Sequence, residues 1–198
     1  MMRYHGQCPI SGNLSEIKSF SDYPLPDQPL PLLNCWEEDS PENYLVLNEV
    51  MASEKDASQV SMYRLNVDDR DLGKFKSSGI IIATGTGSTG WLYSAKSITP
   101  YQVNHFKRVI GNTKDKALDL IDYEIAKKIN SKTIFPSDSS QMYYYVREGF
   151  QETAISEGFC KELIFTSEML KGEIKIDGQR NIPIGIGDRF KLSIDPKY

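Results

Sequence analysis

Short apolar segments separated by polar turns make up most of the chain after residue 43. Residues 44–51 form a largely apolar run, which predicts a buried strand. Residues 59–67 alternate between polar and apolar side chains, and a period of two is typical of a half-buried strand. A third run, Ile80-Ile81-Ile82, consists of β-branched residues, which suit a covered strand in a pleated sheet.

Residues 112–130 are predicted to form a helix, because apolar residues recur there at helical spacing and both ends carry residues typical of helix termini. Asn112 or Thr113 can cap this helix, and lysines lie near its C-terminal end, where the helix dipole favours positive charge. The apolar positions at helical spacing are Leu118, Ile121, Ile125 and Ile129. We expect this amphipathic helix to pack on the core, and we expect a shorter helix over residues 101–109. The later strands are predicted at residues 142–146, 162–166, 173–176 and 190–194.

The order of these elements predicts the fold class. Strands outnumber helices and occur in runs, without strict strand–helix alternation, which favours a mainly β (α+β) fold. We expect an antiparallel, sandwich-like sheet system with inserted helices. Four prolines within residues 24–31 exclude a helix or a central strand there. Residues 1–43 are therefore predicted to be an extended Pro-rich linker or arm, and residues 44–198 the folded domain.

Composition and charge narrow the classes of function. The net charge is −4 and no long run of Lys or Arg occurs, so nucleic acid is not an expected partner. No apolar run reaches the roughly 20 residues that span a bilayer, so a membrane partner is not expected either. Three widely spaced cysteines indicate a reducing compartment, and two histidines argue against a zinc site or a His-based triad. We expect no metal-ligating residues in this chain.

The isoleucine strand leads into Gly85-Thr86-Gly87-Ser88-Thr89-Gly90, which satisfies G-x-G-x-x-G. A strand–turn–helix context favours a dinucleotide-binding loop, but no acidic residue ends a second strand about 20 residues later. A phosphate loop of the Walker type is disfavoured because no Gly-Lys-Ser/Thr follows. A plain turn between core elements is the third interpretation. Four hydroxyl side chains between residues 84 and 89 exceed what a turn needs.

A second polar feature lies about 30 residues before this turn. Asn48 and Glu49 interrupt the apolar run of residues 44–51, and an uncompensated amide or carboxylate in a buried strand is costly. These side chains are therefore expected to bond to one another, to the neighbouring loop, or to a ligand that carries hydroxyl donors.

Together, the two features resemble the NAD kinase family, specifically its C-terminal domain. That family has an Asn-Glu pair and then a sequence close to Asp-Gly-(apolar)3-Ser-Thr-Pro-Thr-Gly-Ser-Thr-Ala-Tyr, which corresponds here to residues 78–91. Gly85 replaces the usual proline, Trp91 the usual tyrosine, and Ser78 an aspartate that many members have. The Thr-Gly-Thr-Gly-Ser sequence and residues 145–148 are similar to the mitochondrial branch. The resemblance covers roughly residues 44–195.

The resemblance implies which residues bind the substrate. NAD kinases transfer the γ-phosphoryl group of ATP to the 2′-hydroxyl of the adenosine ribose of NAD, with Mg²⁺ neutralising charge. By this likeness, Asn48 and Glu49 bind sugar hydroxyls, and Trp91 packs against the dinucleotide. The other positions implied to line or adjoin the adenine and ribose pocket are Thr86, Gly87, Ser88, Thr89, Gly90 and Ser94.

The family's Gly-Gly-Asp-Gly-Thr element, which binds phosphate and supplies the base, is not found in these residues. The resemblance therefore implies no catalytic residues in this chain, which we expect to be the NAD-binding part of the enzyme and to be inactive alone. The alternatives are a non-catalytic dinucleotide-binding or dimerisation module, and a Rossmann-type NAD-dependent oxidoreductase. The resemblance further implies NAD and ATP as ligands, a homodimer formed through this domain, and a mitochondrial location, with the cytoplasm as the alternative.

Overall fold

The computed structural model describes residues 30–38, 42–111, 118–150 and 155–194. Within these ranges it contains two six-stranded sheets, and every strand pairing is antiparallel. The strands of the first half are β1 (Leu33–Glu37), β2 (Asn43–Val46), β3 (Glu49–Glu54), β4 (Ser61–Val67), β5 (Arg70–Ser77) and β6 (Ile80–Ala83). Those of the second half are β7 (Met142–Val146), β8 (Glu157–Cys160), β9 (Glu162–Ser167), β10 (Gly172–Ile176), β11 (Arg180–Ile184) and β12 (Arg189–Ile194).

The two sheets face each other across one large hydrophobic core. The first has the order β2-β1-β12-β9-β4-β5 and the second the order β11-β10-β3-β6-β7-β8. Both sheets contribute fully buried side chains, such as Tyr63 and Phe165 from the first sheet and Ile80 and Ile82 from the second. The predicted fold class, an antiparallel sandwich-like system with inserted helices, is confirmed.

The apolar run of residues 44–51 forms two strands, so the prediction of one strand is wrong. The backbone bends at residues 47 and 48, where β2 ends in the first sheet and β3 begins in the second. The chain thus crosses from one layer to the other, and Val46 before the bend and Val50 after it are both buried in the core between the sheets. Asn48 and Glu49 lie at this crossing.

Two other expectations are corrected by packing. The predicted arm of residues 1–43 includes β1, which pairs with β2 and β12 and has Leu33 and Cys35 fully buried. This segment follows the last proline of the Pro-rich stretch, so nothing prevents it from joining the sheet; residues 1–29 lie outside the described ranges. The pattern of residues 59–67 predicts Val60, Met62, Leu65 and Val67 as the apolar positions of a half-buried strand. In β4 the buried face instead carries Ser61, Tyr63, Leu65 and Val67, and Val60 lies before the strand and is exposed.

Three α-helices lie among the described residues: α1 (Trp91–Lys96), α2 (Pro100–Gly111) and α3 (Leu120–Ser131). Asp119 caps α3 through a reciprocal capping box with Asp122, and the predicted caps at residues 112 and 113 lie outside the described ranges. Ile121 and Ile129 are exposed, so the predicted core-facing stripe of α3 is wrong. The helix instead turns Asp122 toward α2, where Lys107 donates to its carboxylate at 2.8 Å.

The Rossmann-type alternative is contradicted by this topology. β6 pairs with β3 and β7, both antiparallel, and the position of the required second strand is occupied by α2. Among the described residues, no helix has both the length and the apolar character needed to cross a membrane.

Candidate functional site

Asn48 and Glu49 lie at the bend between the two sheets, and the carboxylate of Asp177 holds their backbone. The N–H of Leu47 donates to Asp177 Oδ2 at 3.0 Å, and the N–H groups of Asn48 and Glu49 donate to Asp177 Oδ1 at 2.7 and 3.2 Å. In return, the N–H of Asp177 donates to the Glu49 carbonyl at 3.0 Å. The bend therefore has a defined geometry although it belongs to neither sheet.

Thr84, the first residue after β6, holds the same bend from the other side. Its side chain is buried, and Thr84 Oγ1 donates to the carbonyl of Leu47 at 2.6 Å, with the Asn48 carbonyl 3.2 Å away. The Thr84 N–H donates to the Asn48 carbonyl at 2.9 Å, and Thr84 Oγ1 accepts the N–H of Gly87 at 3.1 Å. One hydroxyl thus joins the bend to the glycine turn.

Two glycines allow backbone contacts that no other residue permits. A Cβ on Gly87 would lie 2.0 Å from the Asn48 carbonyl oxygen, and a Cβ on Gly85 would lie 1.8 Å from the Pro136 carbonyl oxygen. The glycine turn therefore packs on the bend on one side and on residues 136–137 on the other. Proline, like every residue except glycine, has a Cβ, and a Cβ at position 85 would overlap the Pro136 carbonyl. This chain therefore needs glycine at the position where the NAD kinase family usually has proline.

The turn itself forms a short 3₁₀ helix, Thr86–Thr89, with different roles for its hydroxyl groups. Ser88 is fully buried; it donates to the Gly85 carbonyl at 2.6 Å and accepts the N–H of Phe135 at 3.2 Å. Thr89 is exposed. Thr86 Oγ1 is a buried polar atom with no hydrogen-bond partner among the described residues. A buried hydroxyl without a partner is costly, and a ligand group is one means of satisfying it.

The carboxylate of Glu49 reaches the end of this turn. Glu49 Oε2 lies 3.5 Å from the position of a Cβ built on Gly90. Burial, with a further contribution from the negative charge of Asp177, raises the pKa of Glu49 from 4.5 to about 7. Within the part of the chain that the structure describes, the Glu49 carboxylate has no hydrogen-bond donor or cationic partner, so its ionised form would gain from hydroxyl donors.

Trp91 and Ser94 follow the turn on α1. The Trp91 side chain is partly buried and packs against a small cluster formed by Met51, Ile81, Ala83 and Leu92. Ser94 is exposed, one helical turn after Gly90, whose carbonyl accepts its N–H at 3.1 Å. Both positions thus lie just beyond the turn, with part of the indole accessible.

The bend, the turn and the start of α1 follow one another in space, and most of the residues proposed from the sequence are at least partly accessible: Asn48, Glu49, Thr86, Thr89, Gly90, Trp91 and Ser94. Gly87 is buried against the Asn48 carbonyl, and Ser88 is fully buried and bonded to the protein, so neither side of the turn presents these two to the surface. The sequence reasoning missed Thr84 and Asp177, which carry the hydrogen bonds that hold this surface. Thr84 was a visible hydroxyl in the turn. Asp177 had only the signal of an Asp-Gly hairpin, and it does form the turn between β10 and β11, with φ of 49°.

Among the described residues, no group of three or more His, Cys, Asp or Glu side chains could hold a metal ion. Asp177, the carboxylate beside Glu49, is engaged by three backbone N–H groups. Glu49 and Asp177 therefore do not fit a Mg²⁺ site.

Comparison with known proteins identifies a family that this chain is similar to. The family model described as the ATP-NAD kinase C-terminal domain matches residues 47–105, which include the bend, the glycine turn and α1. Mitochondrial NAD kinase 2 from Xenopus tropicalis is 24% identical over 145 residues, covering 69% of this chain and 34% of that protein. Mitochondrial NAD kinase 2 from Homo sapiens is 26% identical over 127 residues, covering 62% of this chain and 28% of that protein.

A solved structure shares the fold. The crystal structure of an NAD kinase from Archaeoglobus fulgidus in complex with ATP matches with a TM-score of 0.56 at 15% identity, covering 84% of this chain and 51% of that chain. This chain thus spans about a third or less of the two mitochondrial relatives and about half of the archaeal one. The predicted resemblance is confirmed: the chain is similar to the C-terminal part of NAD kinases, and residues 47–105 match their C-terminal domain.

Proposed function

We propose that this chain provides the NAD-binding surface of an NAD kinase, an enzyme that phosphorylates the 2′-hydroxyl of the adenosine ribose of NAD with ATP. The observation that carries the proposal is the packing of Gly87 directly on the Asn48 carbonyl. This contact joins two polar features about 40 residues apart in sequence into one surface that a dinucleotide can span.

The chemistry of the surface fits a sugar and a base. Glu49 offers a carboxylate acceptor and Asn48 an amide with both donors and acceptors, which suits vicinal hydroxyl groups. Thr86 offers a buried hydroxyl without a partner, and the glycines expose backbone at which a planar base can lie closely. The accessible part of Trp91 supplies an apolar face for stacking.

The chain's own residues would bind and orient NAD, and proximity of this kind is a large part of phosphoryl transfer. ATP as the donor belongs to the same proposal, since the archaeal relative with this fold was crystallised with ATP. We assign no proton acceptor for the 2′-hydroxyl to this chain and expect it to form no NADP alone. A non-catalytic dinucleotide-binding module is the competing function, and such a module would bind NAD in the same way.

Calorimetric titration with NAD tests the binding step. Wild type is expected to bind, and N48A and W91A are expected to bind at least about tenfold more weakly, the usual cost of one buried hydrogen bond or aromatic contact. Asn66→Ala, which changes an asparagine of β4 in the other sheet, serves as the matched control and should bind like wild type. Equal affinity for all four proteins would contradict the proposed surface.

The location and assembly of the protein form a second part of the proposal. The likeness to mitochondrial NAD kinase 2 from frog and human supports a mitochondrial location. Fractionation of cells that express the protein from its own gene tests this, and a cytosolic signal would refute it. We further propose a homodimer formed through this domain, for which light scattering of the purified chain should give twice the mass of one chain.

A further inference from the structure

We infer that Asp177 is a positioning residue for NAD recognition, holding the Asn48–Glu49 pair in its binding geometry. This inference rests on the proposed function, because it assigns a role in the same site. Asp177 is half-buried, its carboxylate is bonded to the backbone of the bend and not to the turn hydroxyls, and it lies about 130 positions along the chain from the pair that it holds.

The first argument is the number and arrangement of the contacts. One carboxylate accepts three successive backbone N–H groups, those of Leu47, Asn48 and Glu49, at 2.7 to 3.2 Å. Leu47 and Asn48 lie between β2 and β3, and Glu49 is the first residue of β3. Leaving these three donors unsatisfied in a partly buried position would be costly. Hydrogen bonds to an ionised acceptor are also the stronger kind.

The second argument is that the remaining side of the bend is already occupied. The Thr84 hydroxyl donates to the Leu47 carbonyl, and the Thr84 N–H donates to the Asn48 carbonyl. The N–H of Asp177 donates to the Glu49 carbonyl. The backbone of the pair is thus bonded completely to the protein, which leaves the two side chains as its free functional groups. Asp177 and Thr84 together determine where those side chains point.

The third argument is electrostatic. Asp177 is the charged group that acts on Glu49, and the glycine turn packed on the other side, residues 84–90, has no charged side chain. β6 presents Ala83 opposite Glu49. Burial and the negative charge of Asp177 both disfavour the ionised form of Glu49. A ligand hydroxyl that donates to the Glu49 carboxylate stabilises that form. The residue that orients the pair therefore also increases what the carboxylate gains from a donor.

Asp177→Asn is the test variant because asparagine keeps the shape of the side chain and tolerates the positive φ of this position. An amide has one acceptor oxygen, so its NH₂ group must face at least one of the three N–H groups. We expect the Kd for NAD to rise about tenfold at pH 8, the usual consequence of losing a charge-assisted hydrogen bond. We also expect the midpoint of the pH dependence of binding to move below that of wild type, because the charge beside Glu49 is gone.

Asp68→Asn is the matched control. Asp68 also has a positive φ in a hairpin turn, between β4 and β5, and its Oδ1 accepts the N–H groups of Lys161 and Glu162 at 3.0 and 2.9 Å. Because both bonds use one oxygen, the amide oxygen of asparagine can keep them, and the control loses only a charge at a turn that contacts other residues. It should change neither the Kd nor the pH midpoint of NAD binding.

A measurement on the wild-type protein keeps the inference testable if Asp177→Asn does not fold. The amide protons of Leu47, Asn48 and Glu49 should exchange slowly with solvent, because the Asp177 carboxylate accepts all three. Exchange of these amides at the rate of an unprotected loop overturns the inference, as does an Asp177→Asn protein that binds NAD with wild-type affinity and pH midpoint. A wild-type chain that does not bind NAD at all would instead refute the proposed function, while the exchange rates still decide whether Asp177 holds the bend.

Discussion

Replacing Glu49 by glutamine is expected to stabilise the fold at neutral and alkaline pH while weakening NAD binding. Burial and the nearby charge of Asp177 raise the pKa of Glu49 from 4.5 to about 7, so ionisation of this group opposes folding. Glutamine keeps the shape of the side chain and removes that charge. A residue that lowers stability yet is needed for binding is typical of a functional position.

The magnitude follows from the shift in pKa. Each pKa unit corresponds to about 1.4 kcal/mol, so the shift sets an upper limit of about 3 kcal/mol. Because the side chain retains contact with solvent, screening reduces this, and we expect about 1–2 kcal/mol. Below pH 4.5 the carboxyl group is protonated in both folded and unfolded states, so the cost is absent there. It grows as the pH rises and is complete above about pH 7.

Urea unfolding of wild type and Glu49→Gln at about pH 5 and about pH 8 measures this difference. The variant should gain stability relative to wild type mainly at the higher pH. Glu124→Gln, which alters an exposed glutamate of α3, is the control and should change the free energy of unfolding by less than about 0.5 kcal/mol at either pH. A Glu49→Gln protein with the same relative stability at both pH values would refute the reasoning, because Glu49 would then have an ordinary pKa.

Further changes test the contacts around the bend. Gly87→Ala places a Cβ 2.0 Å from the Asn48 carbonyl oxygen, so we expect a loss of at least about 2 kcal/mol in urea unfolding. Gly90→Ala has its nearest contact at 3.4 Å and should fold within about 0.5 kcal/mol of wild type, so equal losses for both would contradict the packing described. Thr84→Val removes the hydroxyl that joins the Leu47 carbonyl to the Gly87 N–H and should cost about 1–3 kcal/mol by thermal unfolding. A wild-type melting curve for Thr84→Val would show that this hydroxyl does not hold the two segments together.

Much of the fold follows from local sequence patterns, because those patterns report burial in β-strands directly. The isoleucine strand and the strand over residues 142–146 form where the apolar runs predict them. The break between β2 and β3 could not be predicted, since an apolar run looks the same whether it stays in one sheet or crosses to the facing one. The buried face of α3 was missed because Asp122, a charged residue, is buried by its bonds to Lys107 and Asn104.

The candidate site was predictable to the extent that its residues form local motifs. The glycine turn and the Asn-Glu pair were visible as unusual sequences, and their resemblance to one family placed them together. Thr84 and Asp177 were not identified, because their roles depend on partners 37 and 130 residues away in sequence. An Asp-Gly hairpin turn carries no information on which distant backbone its carboxylate will contact.

The central claim is that NAD binds along the surface formed by the bend, the glycine turn and the start of α1. Titration of ¹⁵N-labelled chain with NAD, followed by amide chemical shifts, tests it most directly. The account predicts saturable changes concentrated at Asn48, Glu49 and residues 86–94, with β4 and β5 largely unaffected. No saturable change at millimolar NAD, or changes centred elsewhere on the protein, would contradict it.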